Sequence, residues 1–158
     1  MDRTPATETR HAVVDSGALY QLAAGHSPAA VELRKQVRSG ELQLTVPMAA
    51  FSVSSSMRSC WDTECRLEHP DDGVDALRDF LDRPGLRIHQ PTADFALTAG
   101  GLYADCVDRR VVGSEVLAAC HSVLLAEQES VPLISTASAR YCYVPLSSWD
   151  AANQLVFV

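Results

Sequence analysis

Short runs rich in aliphatic residues recur along the chain, and between them apolar positions fall three or four residues apart. Ala12-Val13-Val14, Leu42-Gln43-Leu44-Thr45-Val46, Leu86-Arg87-Ile88-His89, Val131-Pro132-Leu133-Ile134-Ser135 and Gln154-Leu155-Val156-Phe157-Val158 predict strands. The intervening segments predict helices. One runs from Ser16 to Ala24, and a second from a Ser27-Pro28 start to about Ser39, where Gly40 stops it. In the second, Ala30, Leu33 and Val37 line one side while Glu32, Arg34, Lys35 and Arg38 face away. A helix from Met48 to Met57 follows Pro47, and another is opened by Asp71-Asp72-Gly73 and runs through Leu81 to a stop at Pro84-Gly85. Thr92 caps a longer one to about Val107, whose Gly100 and Gly101 suit close packing against a neighbour. Ser114 caps the last, Glu115 to Glu129, with Val116, Leu117, Ala119, Cys120, Val123 and Leu124 expected to be buried. Strands alternating with helices in this order specify an α/β fold, a three-layer α/β/α arrangement around a mainly parallel central sheet.

With 158 residues the chain is one domain's worth, read as a polar tail over residues 1–10 and a single domain over residues 11–158. A formal charge of −7 argues against general electrostatic attraction to nucleic acid, which needs clustered cations. Lys35 is the only lysine, so the positive charge is almost wholly arginine. The start of the sequence lacks the apolar stretch of a secretory signal and no run reaches membrane-spanning length, so the expected location is cytoplasmic, with no membrane partner. Cys60, Cys65, Cys106, Cys120 and Cys142 are odd in number and scattered, which is no disulfide framework, and the last three lie in apolar patterns where a thiol packs as a small hydrophobe.

Chemistry is concentrated at the end of the first strand. In an open parallel sheet ligands bind at the carboxyl ends of the strands, and Val13-Val14-Asp15-Ser16-Gly17-Ala18-Leu19 delivers one carboxylate there. The same aspartate suits a helix N-cap, a purely structural role. Cys60, Cys65 and His69 match no common zinc spacing. Cys120 and His121 are adjacent on a helix and cannot face one partner, so a core cysteine beside a boundary histidine is the simpler reading. Arg58, Arg66, Arg109, Arg110 and Arg140 are either a basic border to the crevice or solvated surface arginines. Asp94 and Glu64 read as surface or cap acids. A phosphoacceptor domain of the response-regulator type needs a lysine after a late strand, and a dehalogenase-type phosphatase needs a second aspartate where Gly17 stands, so neither fits.

The element order, together with Val13-Val14-Asp15-Ser16-Gly17-Ala18-Leu19, Val46-Pro47, Ala119-Cys120-His121 followed by Leu125-Ala126-Glu127, and Val131-Pro132-Leu133-Ile134-Ser135 with Arg140-Tyr141 after it, resembles the PIN domain, the fold of VapC-type toxin ribonucleases. That resemblance implies a site in which three or four carboxylates hold Mg²⁺ or Mn²⁺. The first falls on Asp15. The glutamate after the proline falls on Val53, the helical aspartate on Ala119, and the Thr-X-Asp pair on Ser135 and Ala137, so the other acids are missing. A shift of one residue does not restore them, since Ser52, Ser54, Ala118, Cys120, Thr136 and Ser138 carry no carboxylate. Mg²⁺ needs several oxygen ligands and compensating charge, which one aspartate does not supply. The expectation is therefore a degenerate PIN-like protein, Asp15 vestigial, with no metal cofactor, acting by binding a protein or RNA partner in a regulatory or toxin–antitoxin setting. The alternative is an active Mg²⁺- or Mn²⁺-dependent ribonuclease in which Glu115, one turn before Ala119, joins Asp15. The resemblance also implies a possible homodimer.

Overall fold

The computed structural model describes residues 8–25, 27–57, 73–146 and 155–158. Its strands are β1 (Arg10–Val14), β2 (Leu42–Pro47), β3 (Leu86–His89), β4 (Leu133–Ser135) and β5 (Leu155–Phe157). Its α-helices are α1 (Ser16–Ala24), α2 (Pro28–Ser39), α3 (Met48–Ser55), α4 (Gly73–Leu81), α5 (Ala93–Asp108) and α6 (Ser114–Glu129), and a 3₁₀ turn spans Ala137–Cys142. The strands form one sheet in the order β3-β2-β1-β4-β5, every pairing parallel. This is the α/β architecture with a parallel sheet that the alternation of patterns specifies. Among the described residues, no helix is long and apolar enough to cross a membrane.

Alternation along the strands assigns the two faces. Ala12 and Val14, Leu42, Leu44 and Val46, and Leu86 and Ile88 all point to one side, where they pack with Leu19 and Leu22 of α1, Ala30 and Val37 of α2 and Leu77 and Phe80 of α4. Val13 and Leu133 point to the other, against Phe95, Ala99 and Cys106 of α5 and Val116, Cys120 and Val123 of α6. The crossovers that parallel strands require thus fill both sides of β1.

Local chemistry accounts for most element ends. Asp15, Ser27 and Thr92 each accept a hydrogen bond from the main-chain N–H three residues on, capping α1, α2 and α5. Gly40 ends α2 in the left-handed region at φ 79°. Ser114 is not a cap: it is the first residue of α6, preceded by Gly113 at φ 137°, a conformation that favours glycine, and no side chain caps that helix. α3 ends at Ser55, two residues before the expected Met57, and the hydroxyls of Ser55 and Ser56 turn back onto the carbonyls of Ser52 and Val53. β4 is shorter than its apolar run because Pro132 precedes it, and pairing with β1 begins at Leu133. Gly100 and Gly101 do not mediate close packing: a methyl group added at either meets no atom within 4 Å, and both lie on the exposed side of α5. Leu117 is half-buried, while the other apolar residues expected in α6 are buried.

Candidate functional site: a carboxylate at the strand ends

From β1 the sheet grows through β2 and β3 on one side and through β4 and β5 on the other, so its topological switch point lies between β1 and β4. The sequence puts Asp15 immediately after β1 and Ser135 at the last position of β4, and the Asp15 N–H donates to the Ile134 carbonyl at 3.1 Å. The two side chains meet there. Oδ1 of Asp15 accepts the Ala18 N–H at 2.9 Å, and Oδ2 accepts from both the Ser135 hydroxyl and the Tyr143 hydroxyl. Asp15 is only 2% exposed.

Among the described residues no cation faces this carboxylate in compensation. Burial therefore pushes its pKa up from the usual carboxylate range, and the bonds from Ser135, Tyr143 and Ala18 hold back part of that rise. Burial also raises the Tyr143 phenol well above its ordinary value, with the adjacent Asp15 charge adding to it, so the hydroxyl stays a donor. Glu115 is drawn elsewhere: its Oε1 accepts the Tyr141 hydroxyl at 2.9 Å. Two tyrosines from one short segment, Tyr141 and Tyr143, thus each engage one of the acids that the sequence singles out.

The positions that the resemblance assigns to further acids are distributed around this point. Ser135 is in direct contact with Asp15. Ala119 is buried in the α5/α6 core cluster, one turn beyond Glu115. Val53 is half-buried on α3 and packs with the cluster on the opposite face of the sheet. Ala137 is exposed at the start of the 3₁₀ turn. Among the described residues no group of three or more His, Cys, Asp or Glu side chains is placed to hold a metal ion. The donor set around Asp15 does not fit a divalent cation either, because both carboxylate oxygens already accept hydrogen bonds from protein donors.

Other candidates resolve individually. Cys120 is buried and its thiol lies 3.9 Å from that of Cys106. His121 is buried too and tilts against Phe95 with ring centroids 5.5 Å apart, so it is not the boundary residue expected. Arg109 donates to the Pro145 carbonyl at 2.9 Å, and Arg110 and Arg140 are exposed. Asp94 is an exposed acid in the first turn of α5. Arg58, Cys60, Glu64, Cys65, Arg66 and His69 lie outside the described residues.

Burial raises the thiols of Cys120 and Cys142, Cys142 to about 12, where Asp15 and Glu115 add to the rise. A thiol reagent at pH 8 is expected to leave Cys106, Cys120 and Cys142 unlabelled in the folded protein and to label all three in denaturant, as read by peptide mass mapping. Labelling of any of the three at the rate of an exposed thiol contradicts the packing described here.

No protein-family model matches the chain, and no curated protein matches it in sequence. Solved structures do match in shape. One is a chain from the crystal structure of VapBC2 from Rickettsia felis bound to a DNA fragment from their promoter; the similarity covers 94% of this chain and 97% of that one, at a TM-score of 0.53 and 11% identity. The fold is PIN-like. At that identity the likeness carries the arrangement of strands and helices and nothing of the chemistry.

Proposed function

We propose that this chain is a PIN-like protein without metal-dependent nuclease activity, and that it works by binding a partner in a toxin–antitoxin-related setting. The observation that carries the first half is the state of Asp15. Among the described residues the one carboxylate at the switch point has both oxygens engaged by Ala18, Ser135 and Tyr143, and Ala119, Val53 and Ala137 offer no second ligand. The second half is supported by the shape shared with a chain of VapBC2, which in that structure is bound to a promoter DNA fragment. A protein partner suits this chain better than RNA, since a charge of −7 repels a polyanion. Homodimerisation belongs to the same reading, and sedimentation velocity tests it.

The competing reading, a ribonuclease using Asp15 and Glu115, requires Glu115 to leave Tyr141 and Asp15 to lose two hydroxyl donors before either meets a metal. Calorimetry with Mn²⁺ decides between them. The expected result is no binding tighter than about 0.1 mM, together with no metal-dependent cleavage of single-stranded RNA. Tighter binding that disappears in Asp15→Asn establishes the nuclease reading instead.

A further inference from the structure

A second polar feature lies away from Asp15, toward the amino ends of the strands. Parallel sheets are ordinarily covered on both faces. Here the face covered by α5 and α6 over β1 carries polar side chains as it continues onto β2 and β3, because Gln43, Thr45 and Arg87 alternate with residues that point into the opposite cluster. Register sets Gln43 beside His11 and Thr45 beside Arg87. These four side chains line a cavity of about 280 Å³. Leu44 and Leu86 also line it, but their side chains belong to the other face, so their main chain forms its floor.

The cavity joins one buried hydroxyl to an exposed guanidinium, the Arg87 side chain being 67% exposed. Thr45 is 6% exposed, and its hydroxyl accepts from Nη2 of Arg87 at 3.2 Å. The same Nη2 donates to Glu129, at the end of α6, at 2.8 Å. Two anchors thus hold the guanidinium at the cavity, while its Nη1 and Nε carry no bond to a described residue. In a chain with a charge of −7, none of the described residues lining this cavity has a carboxylate, although that of Glu129 bonds Arg87 at its edge, and every polar side chain there can donate a hydrogen bond.

We propose that this cavity binds a small oxyanion, the carboxylate or phosphate of a metabolite-sized molecule, with Arg87 as its anchor. A guanidinium fork pairs with either group through two parallel N–H bonds, and Gln43 and His11 complete the donor set. Glu129 is the competitor: either two-point fork of the guanidinium includes Nη2, whose two hydrogens go to Thr45 and Glu129, so a bidentate anion displaces Glu129. The volume lies just under the usual range for small-molecule sites, which suits a compact ligand rather than a polymer.

The test is titration of isotope-labelled protein with sodium phosphate and, separately, sodium acetate at constant ionic strength, following the side-chain signals of Arg87, Gln43 and His11 by NMR. Saturable shifts are expected, weakened at least about tenfold in Arg87→Gln. They are expected to tighten by roughly two- to fivefold in Glu129→Gln, which releases the fork. Thr45→Val keeps the charge but loses an anchor and should weaken binding, which preserves the test if Arg87→Gln does not fold. Saturation by phosphate alone assigns a phosphate ester, and saturation by acetate assigns a carboxylate. Linear shifts with both anions, or saturation that is unchanged in Arg87→Gln and in Thr45→Val, overturn the proposal. Metal binding at Asp15 is not involved, so this outcome is independent of the nuclease question.

Discussion

Replacing Asp15 with alanine is expected to cost about 2–4 kcal/mol of stability, whereas asparagine at the same position costs less than about 1 kcal/mol at neutral pH. Alanine removes the cap on α1 and leaves the buried hydroxyls of Ser135 and Tyr143 without their acceptor, and losing the buried charge offsets only part of that. Asparagine keeps Oδ1 for the Ala18 N–H, and its amide can donate to hydroxyl oxygens that turn to accept. The pH dependence separates the two effects. Since burial raises the Asp15 pKa above 3.8, the folded state keeps a proton that the unfolded chain has lost, in the window from 3.8 up to the raised value. Stability from Asp15 is therefore fully present below pH 3.8 and falls as pH rises through that window. Chemical denaturation from pH 4 to 8 should show Asp15→Asn gaining on the wild type with rising pH. If the wild type instead gains on the asparagine variant over that range, the carboxylate is stabilised as an anion and this account of the site is wrong.

Local signals were enough to read the fold. The caps at Asp15, Ser27 and Thr92, the stop at Gly40 and the strand-to-helix alternation are each written within a few residues, and each matches the structure. The start of α6 was misread because a serine ahead of an apolar run looks like a cap, whereas here the chain enters through Gly113 in a conformation that favours glycine. The site was legible only by half. Asp15 and its position at the sheet edge follow from the pattern. Its engagement by Tyr143 joins residues 128 apart, and no periodicity encodes such a pairing. A signal was nevertheless present. Tyr143 follows Cys142 in a segment just after β4, so topology returns it to the switch point, and a buried tyrosine needs a partner for its hydroxyl.

The alternation in β2 encodes a polar face as well as a strand. Leu42-Gln43-Leu44-Thr45-Val46 predicts a strand, yet a central strand of a parallel sheet covered on both faces reads as a continuous apolar run. Polar residues at alternate positions of β2, matched by Arg87 on β3, mark a polar face there, exposed at Gln43 and Arg87 and buried at Thr45. The cavity at His11, Gln43, Thr45 and Arg87 is the structural expression of that pattern.

Combining Tyr143→Phe, Ala119→Asp and Ala137→Asp is expected to create a site at which Mn²⁺ restores stability, by about 2–3 kcal/mol once the metal exceeds its dissociation constant a hundredfold. Removing the phenol frees Oδ2 of Asp15 from one of its two hydroxyl donors. Ala137 lies two residues beyond Ser135, which touches Asp15, and Ala119 is the position on α6 that the PIN resemblance assigns to an acid. Val53 is left unchanged, because it packs among apolar residues on the other side of the sheet. Without metal the variant should be less stable than the wild type by about 3 kcal/mol or more, since Ala119→Asp places a carboxylate in a buried apolar position. Mn²⁺ binds only the folded state and offsets about 2–3 kcal/mol of that loss, and adding Asp15→Asn to the same background should abolish the recovery. Thermal melts with and without Mn²⁺ measure the effect, and if the metal-free chain does not fold, Mn²⁺-dependent return of native circular dichroism reports it instead. A variant that folds and melts identically with and without Mn²⁺ shows that Ala119 and Ala137 do not face Asp15, and the assignment of these positions to a former metal site then fails.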